Sequence, residues 1–138
     1  MANPAASRVR RLLVVDDEPH IGLLLRLQLE SRGYELRLAR SLFEARAALL
    51  ADEAERPDAL LLDLHLPDGS GVDLLRELRD RPSTATLPVI ILTAEGEERV
   101  LQEARRLGAA TVTKPFSPSK LSAQLGTLLG DAPPPAEP

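Results

Sequence analysis

Apolar runs that end abruptly on polar side chains set the rhythm of this chain. Leu12-Leu13-Val14-Val15 stops on Asp16-Asp17-Glu18, Ala59-Leu60-Leu61-Leu62 on Asp63, and Val89-Ile90-Ile91-Leu92 on Thr93. A more mixed run, Ala110-Thr111-Val112-Thr113, stops on Lys114. Unalternating runs of this length predict strands buried on both faces, each carrying its polar residue at the carboxyl end. Tyr34 to Ala39 instead alternates Tyr34, Leu36 and Leu38 with Glu35 and Arg37, which predicts an edge strand with one wetter side.

Helical periodicity fills the intervals. Pro19 suits a first helical turn, and the segment to about Arg32 places Ile21, Leu24, Leu25 and Leu29 roughly on one face before Gly33 stops it. Ser41, with Glu44 three residues on, opens a helix to about Ala54 with Leu42, Ala45 and Leu49 inward. A third helix spans Gly71 to Asp80 on Leu74, Leu75 and Leu78, and a loop from Arg81 leads to Pro88. A fourth runs from Glu95 to Leu107, and a fifth opens at Ser117-Pro118 with Leu121, Leu125 and Leu128 on one face. Strands and helices in alternation select an α/β fold: a five-stranded parallel sheet, doubly wound, with right-handed crossovers and helices on both faces. Every strand's carboxyl end then lies on one rim.

At 138 residues this is one domain, expected over residues 10–130, with 1–9 as an N-terminal extension and 131–138 as a proline-rich tail or linker stump. Apolar residues make up 43% and aromatics only 2%, so the core is aliphatic and platforms for stacking bases are scarce. The net charge of −4, with only the short terminal cluster Arg8-Val9-Arg10-Arg11 on the basic side, argues against direct nucleic-acid binding. The chain lacks cysteine, and neither a signal core nor a membrane-spanning stretch is visible, so the expectation is a cytoplasmic protein without membrane contact.

The rim collects Asp16, Asp17, Asp63, Thr93 and Lys114. Like charges at about 4 Å cost on the order of 4 kcal/mol at an effective dielectric of about 20, and a divalent cation reverses that sign. Oxygen donors without a Cys or a His pair favour Mg²⁺, with Mn²⁺ possible, over Zn²⁺ or Cu²⁺. Carboxylates, a hard cation, Lys and Thr together suit phosphoryl transfer. Each motif alone also has a plain reading: acids at a helix N-terminus, a turn Asp after a strand, a Thr at a helix start, a surface Lys-Pro turn. His20 and His65 are expected to face solvent rather than bind metal.

Val14-Val15-Asp16-Asp17-Glu18-Pro19, Leu62-Asp63-Leu64-His65-Leu66-Pro67-Asp68-Gly69-Ser70-Gly71, Leu92-Thr93-Ala94 and Thr113-Lys114-Pro115-Phe116 resemble, in order, the motifs of the receiver domain of two-component response regulators. The resemblance covers about residues 10–129. It implies a flavodoxin-like strand order, 2-1-3-4-5, of which the chemotaxis receiver is a standing example. It further implies that Asp63 is the phosphoacceptor, taking a phosphoryl group from a sensor histidine kinase or phosphotransfer protein. Asp17, Asp63 and the backbone carbonyl of His65 would then ligate Mg²⁺, with Asp16 acting through water. Lys114 would pair with Asp63 and then with a phosphoryl oxygen, while Thr93 would bond another.

The chain departs from the family at Thr111, which stands where receivers usually carry a switch Tyr or Phe, and in a loop after Gly108 that is one residue shorter. The family's aromatic relay is therefore in question here, and the loop from Ala94 to Arg99 is the expected carrier of change. The function expected is a signalling switch that promotes only its own phosphorylation and dephosphorylation, free-standing or part of a longer regulator, with an unknown output partner. Two alternatives stay open. A Mg²⁺-dependent phosphatase with an Asp nucleophile would need a general acid at the position of His65 and would turn over a generic phosphate ester. A phosphorylation-silent binding module would usually have lost an acid or the Lys, and none is missing.

Overall fold

The computed structural model describes residues 9–49, 56–93, 97–114 and 117–130. Strands β1 (Arg11–Val15), β2 (Glu35–Ala39), β3 (Ala59–Asp63), β4 (Val89–Thr93) and β5 (Ala110–Thr113) form one sheet in the order β2-β1-β3-β4-β5. All its pairings are parallel. Helices α1 (Pro19–Glu30), α2 (Leu42–Leu49), α3 (Gly71–Asp80), α4 (Glu98–Arg106) and α5 (Pro118–Leu129) connect and follow them. The sheet type and the strand order are those anticipated.

Unbroken apolar strands feed two cores at once, because successive side chains point to opposite faces. Leu13, Val15, Leu60, Leu62 and Ile91 pack against α2, α3 and α4. Leu12, Val14, Leu61, Ile90 and Leu92 pack against α1 and α5. Strand β2 lies at the edge, with Leu36 and Ala39 buried and Glu35 and Arg37 in solvent.

Some helix faces differ from expectation. Helix α1 ends at Glu30 and buries Gly22, Leu25 and Leu29, a row spaced by three and four residues. Gly22 lets the helix approach β2, since a Cβ there would lie 3.1 Å from Leu38 Cδ1. That rotation leaves Leu24 39% exposed instead of inward. On α5, Leu121 and Leu125 are buried as expected, but Leu128 is exposed and Ser122 enters the interior. The expected end of α2, the start of α4, Pro115-Phe116, the N-terminal extension and the proline-rich tail lie outside the described residues.

Long-range polar contacts fix the helix ends. Ser41 Oγ accepts the Glu44 N–H at 3.1 Å, as a capping residue should. The Asp68 carboxylate accepts the Leu42 and Phe43 N–H groups at 2.8 and 3.0 Å, so the turn after β3 caps α2 from 26 residues away. The Leu42 N–H, then that of Phe43, holds the Asp68 carboxyl below its ordinary value despite some desolvation. At the opposite end, the Arg79 guanidinium donates to the carbonyls of Leu107, Leu87 and Thr84 at 2.6, 2.8 and 3.2 Å, which joins α3 to the end of α4. Burial lowers its pKa.

The segment after β3 positions the rim. His65–Leu66 and Gly69–Ser70 form a two-residue antiparallel ladder, and Gly71 N–H donates to Leu64 O at 2.8 Å. Gly71 therefore starts α3 directly over the end of β3, where a Cβ would stand 2.3 Å from the Asp63 carbonyl oxygen. That oxygen belongs to backbone and cannot swing away. Gly71→Ala should consequently destabilise the protein by about 1–3 kcal/mol, as overpacking does, and denaturant unfolding checks it; an unchanged midpoint would refute the close approach.

Candidate functional site

The carboxyl ends of β1, β3, β4 and β5 meet around one ammonium group. Lys114 follows β5, and its N–H donates to Thr93 O at 2.6 Å, extending the ladder between β4 and β5 by one residue. Its Nζ lies 2.9 Å from Asp16 Oδ2, 3.2 Å from Glu18 Oε1 and 3.3 Å from Asp63 Oδ2. An ammonium has three donors, and here each faces a different carboxylate.

Local geometry fixes the acids. Asp16 is buried, and its Oδ1 accepts the Glu18 N–H at 2.9 Å in a two-residue turn at the start of α1. Pro19, which lacks an N–H, occupies the first turn beyond Glu18. Asp63 is buried at the tip of β3, and its Oδ1 receives a long 3.4 Å contact from the His65 N–H. Asp17 is exposed, yet carboxylate oxygens of Asp16, Asp17 and Asp63 lie within 4.8 Å of one another. Thr93 is buried at the tip of β4.

Burial, followed by the charge of Asp16, raises the Asp63 carboxyl above its ordinary value; Lys114 and the His65 N–H oppose this without cancelling it. For Lys114, burial acts to lower the pKa. The hydrogen bond and charge of Asp16, the charge of Asp63 and the hydrogen bond of Glu18 outweigh it and leave the ammonium above its ordinary value. Lys114 thus stays charged throughout the accessible pH range, while the acids around it remain in electrostatic excess.

Of the residues singled out from sequence, Asp16, Asp17, Asp63 and Lys114 come together at one place, and Thr93 adjoins Lys114 through the backbone. The His65 side chain is exposed, as expected, and its Nε2 lies 2.8 Å from Glu97 Oε1. His20 is exposed beside Glu18. Thr111 is half-buried on β5, and Arg105 Nη2 donates to its Oγ1 at 3.3 Å. Sequence reasoning did not single out Glu18 as a Lys114 partner, although its place in the acidic triplet was a signal. The Asp68 cap and the Glu97 contact join residues remote in sequence and left none.

Residues 12–126 match the family model described as the response regulator receiver domain. Among curated proteins, the phosphate regulon transcriptional regulatory protein PhoB of Rhizobium meliloti (strain 1021) is 41% identical over 131 residues, covering 90% of this chain and 54% of that protein. The transcriptional regulatory protein KdpE of Mycobacterium tuberculosis (strain ATCC 25618 / H37Rv) is 41% identical over 115 residues, 83% of this chain and 48% of its own length. The chain thus spans about half the length of these relatives. Among solved structures, a response regulator from Chloroflexus aurantiacus J-10-fl superposes with a TM-score of 0.81 at 35% identity, covering 89% of this chain and 99% of that one. The receiver domain of NtrX from Brucella abortus gives 0.77 at 30% identity, covering 88% and 99%.

The raised Asp63 pKa has a direct consequence for stability. A carboxyl whose folded value exceeds its unfolded one, about 3.9, contributes stability that is complete below the unfolded pKa and is lost as pH rises through the folded one. At pH 7 in EDTA the ionised Asp63 therefore burdens the fold. Asp63→Asn should be more stable there, with a higher Tm, and the gain should fade below about pH 4. Thermal denaturation at both pH values tests this, and a variant less stable than wild type at pH 7 would contradict it.

Proposed function

The chain belongs to the response regulator receiver family, the phosphorylation-dependent switches of two-component signalling, and we propose that Asp63 is its phosphoacceptor. The observation that carries this reading is the single ammonium of Lys114 held among Asp16, Glu18 and Asp63 with Asp17 alongside. One cation among several acids is an arrangement that more positive charge, or a phosphoryl group brought with a metal ion, would complete.

The donor set fits Mg²⁺, or Mn²⁺: clustered carboxylate oxygens at a rim, in a chain without cysteine. Asp17, Asp63 and the His65 carbonyl would hold it, with Asp16 acting through water, and it would supply charge neutralisation on the phosphoryl oxygens.

The residues of the chain divide the remaining work. An Asp63 carboxylate oxygen attacks the phosphorus of a phosphohistidine on a sensor histidine kinase or phosphotransfer protein. The P–O bond forms as the P–N bond breaks, and the imidazole nitrogen leaves with the bonding pair and takes a proton. A carboxylate is a weak nucleophile, and the burial that raises the Asp63 pKa makes it a better one once ionised. Lys114 turns from Asp63 to a phosphoryl oxygen, and the Thr93 hydroxyl donates to another. Because the acceptor belongs to the protein, the chain promotes only its own phosphorylation and its own dephosphorylation.

The receiver unit in this reading is residues 10–130, with 131–138 as a tail or linker, acting in the cytoplasm through a protein partner, with no direct contact with nucleic acid or membrane. No helix among the described residues is long and apolar enough to cross a membrane. With acetyl phosphate and Mg²⁺ or Mn²⁺, intact-mass measurement should find one phosphoryl adduct on wild type, none on Asp63→Asn and none in EDTA. Full labelling of Asp63→Asn, or of wild type in EDTA, would reject the assignment. By titration calorimetry, Asp17→Ala should weaken Mg²⁺ binding at least about tenfold through loss of a ligand. Lys114→Ala should leave binding equal or tighter, because it removes a competing cation, while slowing phosphorylation. Equal Mg²⁺ affinity in wild type and Asp17→Ala would remove Asp17 from the site.

A further inference from the structure

Helix α4 begins beside the segment that follows Asp63. Within Glu98–Arg106 Leu101 and Ala104 are buried and Val100 is half-buried against the same core, so apolar packing holds the helix from its third residue onward. The middle of the helix is tied to α3 by the Arg76 guanidinium, whose Nε donates to Glu103 at 2.8 Å, and its end by Arg79 at the Leu107 carbonyl. The N-terminal end has a different tether. Glu97 is the N-cap residue, and its carbonyl accepts the Leu101 N–H at 2.9 Å, but its carboxylate makes no cap bond to the helix. That carboxylate instead reaches His65 Nε2 at 2.8 Å. An ionised carboxylate only accepts, so Nε2 carries the proton in this contact whether the imidazole is neutral or charged.

His65 thereby faces two ways. Its backbone N–H points at Asp63 Oδ1, and its side chain holds the N-cap residue of α4. We infer that the hydrogen bond from His65 to Glu97 is the link through which a change at Asp63 reaches α4, in place of an aromatic residue on β5. Glu97 is a positioning residue in this scheme. The inference rests on Asp63 being the phosphoacceptor. When an oxygen of Asp63 becomes bonded to phosphorus, the other becomes an acyl carbonyl, a weaker acceptor than a carboxylate oxygen. The His65 N–H then loses part of what orients it, and the peptide at residue 65 resets with its imidazole attached. An exposed pair of this kind is weak, enough to bias a two-state helix position by about two- to fivefold.

At the opposite end of the helix the Arg105 guanidinium donates to Thr111 Oγ1. It supplies a control for which end carries the coupling. The measurement is the amide chemical shifts of the whole chain with Mg²⁺, before and after beryllofluoride, in wild type, Glu97→Ala, Glu97→Gln and Arg105→Ala. In wild type the adduct should shift residues 63–70 and residues 97–104 together. Glu97→Ala should keep the shifts at 63–70 and lose at least about half of those along α4. Glu97→Gln, which retains an oxygen acceptor, should restore them, and Arg105→Ala should leave them in place. A full α4 response in Glu97→Ala overturns the inference, as does Glu97→Gln behaving like Glu97→Ala, which would mark a merely structural role. No response at 63–70 in wild type would instead overturn the phosphoacceptor reading, and this inference with it.

Discussion

Electrostatic excess at the rim is the constraint on which the rest of the molecule depends. Three parallel-strand ends deliver Asp16, Asp63 and Lys114 to one point, and Glu18 adds a carboxylate at the start of α1. Without Lys114 the buried Asp16 and Asp63 would face each other uncompensated, which costs several kcal/mol for a pair removed from water. With it, the site is bearable but unfinished. Burial first, and the charge of Asp16 after it, raise the pKa of Asp63: a fold optimised for stability alone would have placed an amide or an aliphatic side chain there.

Holding such a site requires backbone that does not yield. Gly71 lets the start of α3 lie against the Asp63 carbonyl, so the acid sits between a strand tip and a helix start with no slack. Gly69, in the left-handed region, places the turn so tightly that a Cβ would meet Leu42 Cδ1 at 2.9 Å. Between the glycines and Pro67, the Asp68 carboxylate anchors the same turn to the first N–H groups of α2. The turn after β3 is therefore bound to helices on either side of it.

Much of this was legible in the sequence, for identifiable reasons. Strand positions were readable because runs such as Leu60-Leu61-Leu62 feed both faces of the sheet, and their polar stops marked the rim. Asp16, Asp17, Asp63 and Lys114 followed, since each is adjacent in sequence to the strand that carries it. The buried face of α1 was not readable: Leu23, Leu24, Leu25 and Leu27 offer several apolar stripes, and the choice fell to Gly22, whose lack of a side chain admits Leu38. Asp68 capping α2, Arg79 spanning three carbonyls and Glu97 meeting His65 were equally invisible. Each joins residues that only the folded topology brings together, and each uses a polar side chain whose sequence neighbours give no hint of its partner.

Thr111 bears on the route by which a change at the rim reaches α4. An aromatic relay works by moving a large apolar side chain between exposed and buried positions, worth about 1.5–3 kcal/mol of burial each way. Thr111 has no such side chain; β-branched, it suits its place on an edge strand, and its hydroxyl is engaged by an exposed arginine. Two polar contacts join α4 to the segment after β3 and to β5: Glu97 with His65 at one end and Arg105 with Thr111 at the other. Exposed polar contacts contribute about 0–1 kcal/mol each, so whatever passes through them to α4 is a small bias on its position. A partner that prefers one position of α4 adds its binding energy directly to such a bias.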